Sequence, residues 1–300
     1  MNIILTGASG FVGTNLYNYL ESHNLIVHPI SLRNSIWKTD LNGDAIIHLA
    51  GKAHDTKNIS NEAEYFKINT DLTVELFDAF LNSNVKDFIY FSSVKAVADK
   101  VDGVLYEDFQ SVPATPYGRS KLKAEEYILS KTIPAGKRVF IIRPCMIHGP
   151  GNKGNLNLLY NIIQKRIPYP LAAFKNERSF LGIDNLNFMI KEILDKKSVE
   201  SGVYNFSDDE MLSTNELVQL ISSVSNKKNL SVAIPKSLIN GAAKFGDIIK
   251  LPLNSETVQK LTENYRVSNQ KIKSALGIEK LPYSTKEALE KTIKSFNINN

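Results

Sequence analysis

The run Thr6-Gly7-Ala8-Ser9-Gly10-Phe11-Val12-Gly13 constrains this chain more than any other stretch. It follows a short apolar run, Asn2–Leu5, and opens an amphipathic one, Phe11–Ser22, with Phe11, Leu16 and Leu20 inward. Strand, glycine turn, helix is the arrangement that cradles the pyrophosphate of a dinucleotide. Gly7 permits the tight turn, Gly10 lets backbone approach the phosphates at the helix N-terminus, and Gly13 allows close packing of helix on sheet. Phe11 and Val12 belong to the same cofactor-binding turn. About twenty residues on, an acid would hold the adenosine ribose of NAD. Arg33 stands there instead, and a guanidinium grips a 2′-phosphate that a carboxylate would repel. The expected cofactor is therefore NADP(H), with NAD(H) as the alternative. Asp40-Leu41 would flank the adenine.

The first half alternates apolar runs with amphipathic ones, as in βαβ units. Strands are expected at Asn2–Leu5, Leu25–Leu32, Ala45–Leu49, Asp87–Phe91 and Arg138–Arg143, with helices at about 61–81 and 116–131. IIHLA and VFIIR read as strands buried on both faces of a parallel sheet. The fold class is α/β: a Rossmann-type doubly wound parallel sheet with a smaller C-terminal α/β substrate domain. After Gly149-Pro150-Gly151-Asn152 the texture changes, so residues 1–152 are assigned to dinucleotide binding and 153–300 mainly to substrate. Later segments return to the first domain, with Gly202–Phe206 a candidate strand.

With 43% hydrophobic and 22% charged residues, 300 residues can bury a substantial core. One cysteine, Cys145, excludes an internal disulfide. A net charge of +5 is scattered among acids rather than gathered on a face, which argues against a nucleic-acid partner. The N-terminal apolar run is too short for a signal peptide, and Ser237–Leu253 is broken by Asn240, Lys244, Asp247 and Lys250. A cytoplasmic protein without a membrane partner is expected.

Tyr117 and Lys121 lie four residues apart, hence on one helical face. Thr115-Pro116 before them supplies a hydroxyl cap and a first-turn proline, so Tyr117 sits near the positive end of the helix dipole. Dipole, ammonium and an oxidised nicotinamide ring would all favour the phenolate of a proton-transferring tyrosine. Tyr127 and Lys131 repeat the spacing, and Tyr127 reads as core. Ser92-Ser93, ending the preceding strand, distinguishes Tyr117. His48, His54 and His148 do not form a metal set, and Cys145 has no adjacent base to make it a nucleophile.

TGASGFVG, HLAG (48–51), Asn69, FSS (91–93), YGRSK (117–121) and RPCMIHGPG (143–151) resemble, in order and spacing, the extended short-chain dehydrogenase/reductase family. The resemblance spans essentially the whole chain. It implies that Tyr117 is the general acid/base, that Lys121 binds the nicotinamide ribose and lowers the tyrosine pKa, and that Ser93 orients substrate, with Ser92 its close rival. It implies further that Leu49, Ala50, Gly51 and Asn69 line the cofactor and that Pro144–Ile147 face the nicotinamide. Gly154-Asn155-Leu156 and the segment containing Arg178 resemble the diphosphate grips of the nucleotide-sugar branch, and Leu171 lies in the loop Pro170–Phe174 where that branch packs a uracil. An ion pair with Glu177 is the structural alternative for Arg178.

The implied substrate is a UDP-sugar, in the manner of UDP-hexosamine 4-epimerases and 4-keto reductases of surface-polysaccharide synthesis. Val94 and Lys95 replace the Asp-Glu pair of family dehydratases, which argues against dehydration. Val97-Ala98 replaces an expected Tyr-Gly. Arg33 favours the NADPH-consuming 4-keto reductase over a 4-epimerase with bound NAD. A non-catalytic dinucleotide sensor would have no need of the tyrosine-lysine pair, and a reductase of small apolar ketones none of a diphosphate grip. By the same resemblance, a homodimer forms through the helices around 64–81 and 117–131.

Overall fold

The computed structural model describes all residues except 34–36, 38–40, 53–60, 153–154, 229, 250–253 and 299–300. In chain order, β1 (Asn2–Thr6), α1 (Phe11–Ser22), β2 (Ile26–Ile30) and β3 (Ala45–His48) come first. A helical stretch follows in three parts: α2 (Glu62–Tyr65), a π-helical segment (Phe66–Asp71) and α3 (Leu72–Leu81). Then come β4 (Asp87–Phe91), β5 (Val104–Leu105), α4 (Pro116–Leu129), β6 (Arg138–Pro144) and β7 (Met146–His148). The second half contains α5 (Asn155–Gln164), β8 (Phe180–Gly182), α6 (Ile183–Asp195), β9 (Gly202–Phe206), α7 (Thr214–Val224), α8 (Lys236–Ile249), α9 (Ser255–Thr262), β10 (Arg266–Val267), α10 (Gln270–Leu276) and α11 (Thr285–Ile298).

Six parallel strands form the main sheet in the order β2-β1-β3-β4-β6-β9. The order turns at β1, with β2 on one side and β3 on the other. A crevice therefore opens beyond the C-terminal ends of β1 and β3, where open α/β sheets bind ligands. Alternation along the strands explains their apolar runs. Ile3, Leu5 and Ile47 face one layer with Leu16 and Leu20 of α1 and Leu186 and Ile190 of α6. Ile4, Ile46 and Phe88 face the other, with Phe77 and Phe80 of α3 and Ile128 of α4. Gly202–Phe206 is the edge strand beside β6, so the chain does return to the first sheet after residue 152. A separate core gathers Leu156 and Leu159 of α5, Leu171, Phe180, Leu217 and Ile221 of α7, and Ile293 of α11. The parallel pair β7–β8 joins the two regions, placing Ile147 opposite Leu181.

Among the described residues, no helix is long and apolar enough to cross a membrane. No three His, Cys, Asp or Glu converge there as metal ligands either.

Candidate active site

The glycine turn fits its proposed occupant. Gly7 has φ +70°, and a Cβ there would lie 2.7 Å from the Ala50 amide nitrogen. A Cβ on Gly13 would lie 2.2 Å from the Gly7 carbonyl oxygen, so helix and turn meet backbone to backbone. Gly10 caps α1 without a side chain, leaving the helix N-terminal amides open to an anion. Register places Ile30 beside Thr6, so the turn carrying exposed Arg33 emerges next to this glycine turn. Asp40, His54 and Gly154 lie outside the described residues.

A hydrogen-bonded chain holds the neighbouring loop. Ala50 N–H donates to Thr6 Oγ1 (3.0 Å), and Thr6 Oγ1 meets His48 Nδ1 at 2.7 Å. His48 Nε2 meets Thr73 Oγ1 at 2.9 Å, and that hydroxyl donates to the Asn69 carbonyl (2.8 Å). Because Thr73 gives its proton to Asn69, His48 carries its own on Nε2 and accepts at Nδ1. Burial, and then the nearby Lys121 charge, push the imidazole down to about 3, so it stays neutral. His48 is thus a strut that sets Leu49 and Ala50 against the glycine turn. Asn69 is a second clamp. Its Oδ1 accepts from Lys52 N–H (2.7 Å), and its Nδ2 donates to Lys52 O (3.1 Å) and Ser120 Oγ (3.0 Å). A Cβ on Gly51 would lie 3.0 Å from Asn69 Oδ1 and 3.2 Å from Lys121 Nζ. Gly51, Asn69 and Lys121 therefore meet at one point.

The tyrosine-lysine pair stands on α4 as its spacing predicts. Thr115 caps the helix, accepting from Gly118 N–H at 3.2 Å. Tyr117 is part-buried, set edge-on to Tyr65 with ring centroids 6.2 Å apart, and the Ser93 hydroxyl hydrogen-bonds its phenol. Ser93 in turn accepts from Lys95 N–H (3.1 Å) at the start of a 3₁₀ turn, which fixes its side chain. One helical turn on, Lys121 Nζ donates to the Phe91 carbonyl (2.9 Å) and lies 5.0 Å from the Tyr90 ring centroid. Burial pulls this amine down to about 8, against the opposing pull of Glu125. The electrostatic expectation for Tyr117 needs correcting. Burial raises its pKa, the Ser93 bond lowers it and Tyr65 raises it, and the net direction is upward. Lys121 is turned to Phe91, so the chain's own groups keep the phenol protonated at neutral pH.

Ser92 also departs from expectation. Its hydroxyl donates to the Glu125 carboxylate, below the site rather than into it. Arg143 grips the same carboxylate, Nη2 to Oε2 at 2.6 Å and Nε to both oxygens at 3.1 Å, and its Nη1 reaches the Glu107 carbonyl (3.2 Å). Nothing in local sequence links these four residues, so the sequence reading, which offered Ser92 as a substrate-orienting hydroxyl, did not bring them together.

Pro144 ends β6, and Cys145 and Ile147 follow. The Cys145 thiol is pushed well up by burial, unsuited to nucleophilic attack. Arg178 precedes β8 and exchanges backbone hydrogen bonds with Leu212 (3.0 Å each way). Burial depresses its guanidinium, and Glu263, Cys145 and the Tyr265 phenol lie within its electrostatic reach. Glu177 instead pairs with Arg266 (3.2 Å), so the simple ion-pair reading of Arg178 fails. Tyr265, which the sequence did not single out, ties the two halves of the site. Its hydroxyl donates to the Ala98 carbonyl (2.6 Å) with the Val94 carbonyl beside Ser93 at 3.2 Å, and Lys95 Nζ lies 4.2 Å from its ring centroid. Lys95 Nζ donates to the Asp99 carbonyl (2.9 Å), so no acid-base pair follows Ser93. Leu171 is buried in the second core, and Asn215 Nδ2 fixes its loop through the Ala172 and Phe174 carbonyls (3.1 Å each). Asn155 opens α5.

The structure thus brings together a glycine turn at the head of α1, a Ser-Tyr-Lys set and, towards Tyr265, a part-buried arginine. The chain belongs to the NAD dependent epimerase/dehydratase family, whose model matches residues 3–206. Among its relatives is the UDP-glucose 4-epimerase of Vibrio cholerae, 30% identical across 98% of this chain and 95% of that one. Another is the N-acetyl-alpha-D-glucosaminyl-diphospho-ditrans,octacis-undecaprenol 4-epimerase of Escherichia coli O157:H7, 27% identical across 98% and 94%. The fold is shared with MoeE5, solved in complex with UDP-glucuronic acid and NAD, at a TM-score of 0.78 and 19% identity over 100% of both chains.

Proposed function

We propose that this chain is a 4-epimerase that inverts C4 of a diphosphate-linked hexose, a UDP-hexose or UDP-N-acetylhexosamine. The Ser93–Tyr117 hydrogen bond, with Lys121 one turn further along α4, carries the reading. Arg33 argued for a reductase, but it is an exposed residue beyond β2. Relatives matched along nearly the whole chain are 4-epimerases, and that supports inversion over net reduction.

Gly7, Gly10, Phe11, Val12 and Gly13 would hold the cofactor pyrophosphate, and Arg33 would stand by the adenosine ribose. Leu49, Ala50, Gly51, Asn69, Pro144 and Ile147 would enclose the remainder, with Lys121 at the nicotinamide ribose. A bound NAD supplies the hydride acceptor and, on return, the donor. Ionised once an oxidised nicotinamide lies beside it, Tyr117 would take the proton of the C4 hydroxyl as that carbon becomes a ketone. It gives the proton back once the sugar presents its other face. Ser93 hydrogen-bonds the same oxygen. Lys121, ionised below about 8, keeps positive charge beside the developing phenolate. Arg178 and Asn155 would hold the diphosphate, Arg178 by a charge-assisted fork, and Leu171 would back the base. A homodimer through α3 and α4 belongs to the same proposal.

An epimerase returns its hydride in every cycle, whereas a reductase consumes one equivalent. Purified protein incubated with UDP-glucose or UDP-N-acetylglucosamine, without added dinucleotide, should yield the C4 epimer by NMR with no net change at 340 nm. Stoichiometric oxidation of added NADPH by a UDP-4-keto-hexosamine, with no epimer formed, would establish the reductase instead.

A further inference from the structure

Ser93 and Tyr117 share a hydrogen bond but stand on separate elements. Ser93 caps the 3₁₀ turn Val94–Ala96, whereas Tyr117 lies in the first turn of α4. Their bond therefore depends on how the head of α4 is held against that turn. The two backbones touch at one point, where a Cβ on Gly118 would lie 2.3 Å from the Lys95 carbonyl oxygen. Such a contact stops the helix from coming closer but does nothing to stop it drawing back or turning.

Asp99 supplies the missing restraint. Its Oδ2 accepts from Ala114 N–H (2.8 Å) and Thr115 N–H (3.2 Å), across 15 and 16 residues of chain. The Thr115 hydroxyl points to its Oδ1 (3.5 Å), leaving a lone pair on Thr115 Oγ1 for Gly118 N–H (3.2 Å), the cap of α4. One carboxylate thus holds the two residues that lead into α4 and orients the hydroxyl that starts it. Hydrogen bonds from backbone N–H to a carboxylate are about twice as strong as neutral ones. Asp99 is fixed in turn from the Ser93 side. Its carbonyl accepts from Lys95 Nζ (2.9 Å), and Lys95 N–H donates to Ser93 Oγ (3.1 Å). The Tyr265 hydroxyl, donating to the Ala98 carbonyl (2.6 Å), braces the preceding residue. A run of bonds leads from Ser93 through Lys95 and Asp99 to Thr115 and the turn that carries Tyr117.

We propose that Asp99 is a positioning residue that sets the separation of Ser93 and Tyr117, acting through Thr115. The assignment rests on the reading of Tyr117 as the acid/base at C4, and it holds for inversion and reduction alike. The segment between Asp99 and α4 has an anchor of its own, since Val112 N–H donates to the Val97 carbonyl (2.6 Å). Loss of the carboxylate should therefore loosen the head of α4 without unfolding the chain.

Kinetics and amide exchange on full-length variants test this. Asp99→Ala should lower kcat by about 10- to 100-fold, the effect of a misplacement of up to about 1 Å, and leave KM and heat-released dinucleotide unchanged. In a Ser93→Ala background the same change should cost no more than about twofold, because the bond it protects is already absent. Backbone amides within 114–118 should exchange about tenfold faster than in the wild type. Asp99→Glu keeps the charge but carries the carboxylate one methylene further. It should repeat the pattern to a smaller degree, and it serves where the alanine variant does not fold. Equal losses of kcat in both backgrounds, or a lower melting temperature with kcat unchanged, would overturn the proposal. A wild type that turns over neither a UDP-hexose nor a UDP-4-keto-hexosamine would refute the reaction instead. Exchange at 114–118 would then decide alone, with unchanged rates in the variants overturning the role of Asp99.

Discussion

Glu125→Gln removes one charge from a pair whose residues are 0% (Glu125) and 5% (Arg143) exposed. The amide keeps the shape of the side chain, so little packing is lost. What changes is that Arg143 retains a full charge in the interior with a neutral partner, and Ser92 loses its anionic acceptor. Breaking a buried pair from one side costs about 3–5 kcal/mol, and the lower end applies because one oxygen remains to accept. At roughly 2–4 °C per kcal/mol, the midpoint should fall by about 6–12 °C in a thermal melt at pH 7. Glu125→Leu with Arg143→Met removes both charges and should recover most of the loss. The variant should also move the activity profile. Glu125 supports the charged form of Lys121, so without it the amine loses its proton below its value of about 8. A melt within about 2 °C of wild type, or a double variant no better than the single one, would refute the argument from charge burial.

Further outcomes follow from the residues of the site. Tyr117→Phe should lower kcat by about 10²–10⁴-fold while leaving dinucleotide content unchanged, and Ser93→Ala should shift the profile of the remaining acid-base step towards alkali, because the Ser93 bond lowers the phenol pKa. Wild-type turnover should decline as pH rises through about 8, where Lys121 loses its charge, and Lys121→Arg should extend activity above that limb if it retains any. Gly13→Ala forces a Cβ to within 2.2 Å of the Gly7 carbonyl oxygen, so heat-released dinucleotide per chain should drop, measured by absorbance.

The sequence expressed what short-range chemistry fixes. Strands buried on both faces read as apolar runs, and all five expected in the first half are present with ends shifted by a residue or two. The four-residue spacing put Tyr117 and Lys121 on one face because helical geometry leaves no choice. Partners chosen across the fold were not legible. Two adjacent serines are equivalent in sequence, yet strand alternation turns Ser92 towards Glu125, 33 residues on, and Ser93 towards Tyr117. An ion pair with its neighbour Glu177 was the local alternative for Arg178, but Arg266, 89 residues away, takes Glu177. The direction of the Tyr117 shift was missed for a related reason. Burial depends on tertiary packing, and here it outweighs any charge that local spacing could reveal.

The π-helical segment Phe66–Asp71 places an additional residue within what would otherwise be a continuous helix. It therefore sets the phase between α2 and α3. Excising one residue would restore a regular helix but rotate α2 by about 100° against α3. Tyr65 would swing from the edge of Tyr117, Glu62 from Arg119 (2.8 Å) and Glu64 from Lys52 (2.8 Å). Asn69 and Thr70 fix two positions of the segment through Ser120, and its length is locked to α4, which it faces.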